Sequence, residues 1–585
     1  MMKMNLKQFF PILDWLPNYK KAYFPGDISA GLTVGVMLIP QGMAYAMIAG
    51  LPPVYGLYAA MIPQVVYAIF GTSRQLAVGP VALDSLLVAA GVSGIAALGS
   101  ESYILLAVLL SFIMGLVQVA FGIFRLGFLV NFLSKPVISG FTSAAALIIG
   151  LNQLKHIIGV DLDRSTNIFS IIYQAFLSYE IINWVTLSIG IGGILLVRNI
   201  KKVHHSIPGA LIAVVAGILV VQFGGLESDN VSIVKEIPTG LPSFSIPDLG
   251  TENLEALIPI GLTLALIAFM ESISIAKAIQ ATHKGEYELD NNQEMIGLGM
   301  GNLVGSFFGC YPTTGGFSRS AVSDQAGAKT NLAAIIAAGL IALTLLFLTP
   351  LFYYLPKAIL GSIIMVAVFG LIDFKYPVFL WKTKKQDFWM LLVSFVVTLT
   401  FGVKEGITAG VSISLIMLIY RTTQPHIAVL GRLKGTNDFR NVGRFEEIDV
   451  RDDVLVLRHD AQLYFANVTH FIDAVKKEVE LKGAPLKVFV LHCGSISSID
   501  ATALQALKEL IAELQLKGIQ VAFSGLIGPV RDFLFKTKFI EELGVKHFYN
   551  DVQTAIDSFD NCTDKKQKQV FKHALQTNVF KEKDI

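Results

Sequence analysis

Tyr311-Pro-Thr-Thr-Gly-Gly-Phe-Ser-Arg-Ser-Ala-Val-Ser-Asp324 is a polar, glycine-rich stretch set between long apolar segments. In lipid every backbone polar group needs a partner inside the protein. Irregular backbone at membrane depth therefore survives only when it is buried in protein or lines a wet cavity. Pro312 and Gly315-Gly316 break an incoming helix, and Ser318 offers a side-chain oxygen to cap a helix restarting there. A half-helix that restarts inside a bilayer aims free N–H groups and the positive end of its dipole inward. Arg319 in its first turn adds a full positive charge. Together these features are expected to hold a small anion; the plainer alternative is an external loop with an incidental arginine.

The first half of the chain holds a counterpart. Gly71-Thr-Ser-Arg-Gln-Leu-Ala-Val-Gly-Pro80 is also broken by Gly and Pro, with a helix restart expected near Pro80. Either stretch alone reads equally well as a loop between spans. One in each half points to an inverted-repeat transporter whose site lies between opposed half-helix N-termini. Glu271 ends the apolar run Ile258–Met270, where a carboxylate must be protonated, ion-paired or facing water. It is a candidate for carrying a coupling proton or binding Na⁺; the alternative is a salt bridge to Lys277 or Arg319. Gln41 and Tyr45 are four residues apart and share a helix face, where they serve either an anion or helix packing. Asp84 and His156 read as paired interior or interface residues.

Composition agrees. Of 585 residues, 53% are hydrophobic and 15% charged, with mean hydropathy +0.61, which is the composition of a membrane protein. Half of the Lys and Arg residues lie after Tyr420, marking a boundary between a lipid-embedded body and a water-soluble tail. Cys310, Cys493 and Cys562 have neither metal-ligand spacing nor a disulfide framework and read as structural. There is no phosphate loop for ATP, no His/Cys cluster and no pair of catalytic acids. That argues against an enzyme or a primary pump, and no metal, cofactor or nucleic-acid partner is expected.

The apolar segments are Ile28–Ala49, Val54–Phe70, Gly79–Ala97, Ile104–Phe124, Phe128–Leu151, Ile181–Val197 and Ile207–Phe223 in the first half. The second half has Leu254–Ala278, Met295–Phe308, the restart after Ser318, Leu332–Phe347, Leu351–Ile372, Phe388–Val403 and Ile407–Tyr420. The total is about fourteen, several of them short of the ~20 residues a spanning helix needs. The basic, aromatic Met1–Tyr23 reads as a cytoplasmic segment lying at the interface. It shows no signal-peptide cleavage pattern, so the first apolar segment is expected to stay as a span. Arg198–Lys202, Lys277–Lys284 and Lys375–Lys385 each follow an even-numbered segment, which puts both termini in the cytoplasm. After Arg432 the pattern changes. Strand-like Asp453–Arg458, Leu486–His492 and Ile519–Ser524 alternate with the helical Asn467–Leu481 and Ala501–Leu516, as in a small α/β domain. The expected divisions are an N-terminal segment (1–27), a transmembrane domain (28–421), the α/β domain (432–560) and a disordered Lys/Gln-rich tail (561–585).

Pro53-Val-Tyr-Gly-Leu-Tyr-Ala-Ala60, with Val65-Val-Tyr67 and Gly71-Thr-Ser-Arg74, resembles the signature of the sulfate permease (SulP) anion transporters. Gln41, Phe269-Met-Glu-Ser-Ile-Ser274 and Gly316-Phe-Ser-Arg-Ser320 match further segments of that family, and the tail resembles a STAS domain. The resemblance covers nearly the whole chain. It implies an α-helical polytopic membrane protein with a seven-plus-seven inverted repeat, core and gate domains, and a homodimer with cytoplasmic STAS domains. By match to family motifs, Gln41, Tyr45, Val81, Ser318 and Arg319 line the anion site. Glu271 stands where relatives carry their acidic coupling residue, similar to proton-linked carriers rather than to bicarbonate carriers with aspartate there. Ser498-Ile-Asp-Ala-Thr-Ala503 resembles the loop phosphorylated in anti-sigma-factor antagonists, whose acceptor hydroxyl lies one or two residues after the aspartate. Here Ala501 follows Asp500 and leaves only Thr502 to serve, against the plainer role of a helix N-terminus.

The expected function is proton-coupled sulfate uptake across the cell membrane by an elevator-like movement, with cytoplasmic partners reached through the STAS domain. A Na⁺-coupled bicarbonate or dicarboxylate carrier, an uncoupled channel and a membrane-tethered STAS regulator are the alternatives.

Overall fold

A computed structural model describes residues 6–127, 134–160, 162, 168–203, 209–226, 230–283, 285–370 and 372–561. The expected tail beyond Asn561, Cys562, Lys284 and the start of the Phe128–Leu151 segment lie outside the described residues. The chain forms two compact units, Met1–Ser414 and Leu415–Ile585.

The first unit is helical. In order it contains α1 (Phe24–Ile48), α2 (Pro53–Phe70), β1 (Val78–Gly79), α3 (Ala82–Val92), α4 (Glu101–Ile123), α5 (Lys135–Asn152), α6 (Trp184–Val203) and α7 (Gly209–Gly224). Then come α8 (Thr251–Gln280), α9 (Asn291–Ser306), β2 (Thr314–Gly315), α10 (Phe317–Gln325), α11 (Leu332–Leu343), α12 (Lys357–Phe369), α13 (Lys385–Phe401) and α14 (Val403–Thr423). The division between the units falls inside α14. Among the described residues, six helical stretches are long and apolar enough to cross a membrane: Lys21–Ile48, Pro53–Phe70, Glu101–Ile123, Lys135–Ile158, Leu254–Gln280 and Leu332–Phe352. By contrast α3 has 11 residues and α10 has 9. At 1.5 Å per residue each reaches only about half of a ~30 Å hydrocarbon layer.

Small residues let the helices close on one another. A Cβ on Gly115 of α4 would come within 2.5 Å of the Leu303 backbone nitrogen on α9. One on Gly299 of α9 would come within 2.7 Å of the Val119 nitrogen on α4. Lipid tails are as apolar as leucine, so such backbone-to-backbone packing is what holds membrane helices together.

The second unit carries β3 (Ile427–Leu433), β4 (Phe439–Asn441), β5 (Ile448–Asp449), β6 (Val454–His459), α15 (Val468–Lys482) and β7 (Val488–His492). It continues with α16 (Ala501–Leu516), β8 (Gln520–Ser524), α17 (Gly528–Lys536), β9 (Phe548–Tyr549) and α18 (Val552–Asn561). The sheet order is β4-β3-β6-β7-β8-β9, with β5 also paired to β3. β6, β7, β8 and β9 are parallel, in the register Val454↔Val488↔Gln520. Crossovers through α15 and α16 make that possible. Alternate strand residues feed two cores. Leu455, Leu457, Phe489 and Leu491 pack with Phe471, Leu507 and Ile511 of the crossover helices. Val454, Val456, Val488 and Val490 pack with Val552, Ala555 and Ile556 of α18.

Candidate anion-binding site

β1 and β2 pair antiparallel, with Val78 opposite Gly315 and Gly79 opposite Thr314. The Gly316 N–H continues the ribbon by donating to Ala77 O at 3.0 Å. Each strand is followed at once by a half-helix, α3 from Ala82 and α10 from Phe317. Neither half-helix has a side-chain cap; Val81 and Gly316 hold the N-cap positions. Because the strands are antiparallel, the two helix starts lie at opposite ends of one short ribbon and leave in opposite directions.

Buried polar side chains explain why the chain tolerates extended backbone here. Thr313 N–H donates to Asn302 Oδ1 at 2.8 Å, and Asn302 Nδ2 donates to Thr313 O at 2.9 Å. Gly315 N–H donates to Ser272 Oγ at 2.9 Å, and Thr314 Oγ1 donates to Ala268 O at 2.8 Å. Ala77 N–H donates to Ser320 Oγ at 2.9 Å. Helices α8, α9 and α10 thus satisfy groups that lipid cannot.

Arg319 is 2% exposed. Its Nη1 donates to Pro80 O at 2.8 Å, while Nε and Nη2 are buried with no partner. The side chain folds back over the start of its own helix: a Cβ on Gly316 would lie 2.6 Å from the Arg319 Cζ. The guanidinium also lies beside Gly79, where a Cβ would be 3.5 Å from Nη2. Tyr45, Glu271 and Tyr311 act on Arg319 electrostatically. A buried guanidinium with two unmatched donors is costly, and an anion accepting those hydrogen bonds would remove the cost.

On α1, Gln41 is half-buried with its Oε1 unpartnered, and Tyr45 is buried one turn further along. Glu271 on α8 has a buried, unpartnered Oε2. Val81 is half-buried and Ser318 is exposed in the first turn of α10. Several expectations are corrected. Ser318 does not cap α10, because Gly316 occupies the cap position and has no side chain to do it. The restart expected near Pro80 does occur, with α3 beginning at Ala82 and Pro80 itself just before the helix. Among the described residues Glu271 forms no salt bridge with Lys277 or Arg319, although the Arg319 charge acts on it. Asp84 is not paired: both of its oxygens are buried without a partner. His156 is half-buried on the helix Leu154–Ile158 and does have an interaction partner.

Two buried carboxylates were not singled out by sequence reasoning. Glu294 accepts from Tyr67 OH at 2.6 Å, Thr72 Oγ1 at 2.7 Å, Thr72 N–H at 2.5 Å and Ser73 N–H at 2.9 Å. It thereby clasps the Gly71-Thr-Ser-Arg74 turn that leads to β1. Asp27 accepts from Lys329 N–H at 2.7 Å, Thr330 N–H at 3.0 Å and Thr330 Oγ1 at 2.7 Å, fixing the loop that leaves α10. Both fell at segment edges, where an acidic residue reads as solvated. The available signal was Asp290, which caps α9 through Asn292 and Gln293 and so draws Glu294 into the first turn.

In the second unit Asp500 accepts from Ala503 N–H at 2.7 Å and from Phe465 N–H at 2.9 Å. It is the side-chain N-cap of α16, and Thr502 is exposed in the turn after it.

Residues 24–394 match the sulfate permease family and residues 446–555 match the STAS domain. The chain is 39% identical over 565 residues to the Arabidopsis thaliana protein named Sulfate transporter 4.1, chloroplastic, covering 94% of this chain and 82% of that one. It is 34% identical over 581 residues to High affinity sulfate transporter 1 of Stylosanthes hamata, covering 95% and 87%. The structure is similar to that of the murine Solute Carrier 26 family member A9 anion transporter in the inward-facing state, with TM-score 0.88, 25% identity and 96% of each chain covered. The transmembrane domain of a cyanobacterium bicarbonate transporter, BicA, shares the fold at TM-score 0.59 and 22% identity, over 67% of this chain and 98% of that one. The chain therefore belongs to the sulfate permease family, as a multi-pass helical membrane protein with an anion-transporter fold and a C-terminal α/β STAS domain.

Proposed function

We propose that the protein is a secondary active transporter that takes up sulfate together with protons. The observation that carries this reading is the Arg319 guanidinium, buried between two interrupted helices with Nε and Nη2 unmatched. A tetrahedral dianion offers acceptors to both nitrogens, to uncapped N–H groups of α3 and α10 near Val81 and Ser318, and to the neutral donors of Gln41 and Tyr45. Relatives named as sulfate transporters support sulfate over other small anions.

Glu271 supplies the coupling. Ionised, it repels an anion next to Arg319; protonated, it removes that repulsion, so proton and anion are admitted together. In the elevator reading the interrupted helices and the Asn302, Ser272 and Ser320 contacts that brace them move as one body. H⁺ is the coupling ion, Na⁺ its alternative. Both termini face the cytoplasm, the membrane is the cell membrane, and the working form is a homodimer whose STAS domains are open to cytoplasmic partners.

The test is labelled sulfate uptake into proteoliposomes of the full chain under imposed proton or Na⁺ gradients, with bicarbonate and fumarate as rival substrates. Sulfate should accumulate above its own electrochemical equilibrium when a proton gradient is applied. Glu271→Gln should abolish pH-driven uptake and leave sulfate binding largely intact. Uptake that follows Na⁺ instead, or an unchanged Glu271→Gln protein, would remove the proton from this reading.

A further inference from the structure

Asp84 is the buried ionisable group to which the reading above gives no task. It occupies the first turn of α3, is 0% exposed, and leaves both carboxylate oxygens without a hydrogen-bond partner. A carboxyl kept in this state is expensive as an ion and serves no structural purpose that a leucine would not serve better.

Its surroundings indicate what it does. Gly91 of α3 lies against Ile260 of α8, where an added Cβ would meet Ile260 Cγ2 at 2.6 Å. Further along, Asp84 interacts electrostatically with Glu271 of α8. Residue numbers rise on one helix as they fall on the other, so α3 and α8 run antiparallel. Between them and α14 lies a cavity of about 80 Å³, walled by Leu87, Gly91, Ile260, Thr263, Leu264 and Thr408. Asp84, Leu87 and Gly91 stand at i, i+3 and i+7, on one face of α3. Leu264 and Glu271 are seven apart, on one face of α8. Down the same seam the two carboxyls therefore follow the cavity, one to two turns (about 5–10 Å) below it. The volume is enough for water, and Thr263 and Thr408 are among its lining residues.

The helices packed on α3 are α1, α4, α5, α8 and α12. From α8 it is Glu271 that acts on Asp84, and Asp84 in turn acts on Tyr311, whose hydroxyl is 3.2 Å from Ser85 Oγ. Tyr45 of α1 and Arg319 of α10 act on each other and on the Glu271 side of the site. The ionisable groups of α4, α5 and α12 (Glu101, Tyr103, Lys135 and Lys357) stand in the first turns of their helices and do not act on Asp84.

We infer that Asp84 is a proton relay between the α3–α8–α14 cavity and Glu271. With no direct hydrogen bond between the two carboxyls, the Asp84 carboxylic acid gives its proton to an intervening water as that water passes one of its own to Glu271 Oε2, and the resulting Asp84 carboxylate takes the next proton from hydronium in the cavity. This rests on the proton-coupled reading of Glu271 and adds a second group to it.

The experiment compares wild type, Asp84→Asn and Asp84→Glu as full chains in proteoliposomes, measuring proton-driven sulfate uptake and sulfate–sulfate exchange with equal pH on both sides. Asparagine keeps the shape and cannot pass a proton, so driven uptake should fall about tenfold or more while exchange stays near wild type. Glutamate should restore the drive with a shifted pH profile. A merely structural Asp84 would move neither the split between drive and exchange nor the pH profile. Should asparagine abolish exchange too, through misfolding, the glutamate variant decides: exchange without drive overturns the relay, and recovery of both supports it. If wild type is driven by protons and Asp84→Asn matches it, the relay fails alone. If wild type shows no proton-driven component, the coupling reading fails and the relay with it.

Discussion

At Arg319 one side chain sets the character of the site, and its position depends on a neighbour that has no side chain. Gly316 holds the N-cap position of α10 and leaves the space into which the guanidinium folds. Gly316→Ala should push the guanidinium off the helix start with little effect on the fold. If Arg319 holds sulfate as proposed, losing one charge-assisted hydrogen bond to it costs roughly 1.5–3 kcal/mol, so binding should weaken about tenfold or more. Titration of labelled sulfate on the purified protein reads this directly, and wild-type affinity would show that the Cβ is accommodated. The identity of Arg319 and its glycine-broken approach were legible in the sequence. Its hydrogen bond to Pro80 O was not, because the two residues are 239 positions apart.

At the scale of elements, two interrupted helices are held by acidic clasps. Glu294 accepts four hydrogen bonds from Tyr67, Thr72 and Ser73. Glu294→Gln would keep the volume but replace two charged acceptor oxygens with one neutral acceptor and an extra donor. The expected loss is about 2–4 kcal/mol, seen as a lower unfolding midpoint in detergent. A second clasp lies at the far end of α10, where His283 Nε2 is 2.5 Å from Asp324 Oδ1 and its Nδ1 is 3.3 Å from Glu286 Oε1. Burial disfavours charge on His283, but hydrogen bonds to Asp324 and Glu286 outweigh it and raise its pKa. A raised folded-state value means that the stabilisation is complete below the unfolded histidine value of ~6.5 and disappears as pH climbs through the higher folded value. Hydrogen exchange at the Glu286 amide, bonded to His283 O, should therefore speed up over that alkaline window after correction for intrinsic rates. His283→Gln should flatten the dependence, and an unchanged profile in that variant would exclude His283 as its source.

At the scale of the whole molecule, the chain is two compact units with different physics. The first is held by close helix packing and buried polar braces, the second by a sheet with an apolar core on each face. Multi-domain chains depart from a single two-state transition, so the two units are expected to unfold separately. Asp500→Ala removes the cap of α16 and the acceptor for Phe465 N–H, which should cost the STAS domain about 1–2 kcal/mol. Calorimetry of the full chain should show one transition lowered and the other unmoved; a shift of both would mean that the two units unfold together.

Composition, apolar segment lengths and the Gly/Pro interruptions were enough to specify a polytopic membrane body with an α/β domain behind it. Those properties are local, set by what lipid demands of each stretch of backbone. Short motifs also made Gln41, Tyr45 and Glu271 legible as candidates, whose roles in anion binding and coupling are proposed. What only the tertiary structure decided was pairing at long range: the β1–β2 ribbon, the clasps made by Asp27 and Glu294, the absence of a partner for Asp84, and the N-cap position at Gly316 rather than Ser318. A buried polar group is satisfied or left unsatisfied by residues two or three hundred positions away, and no local pattern carries that information.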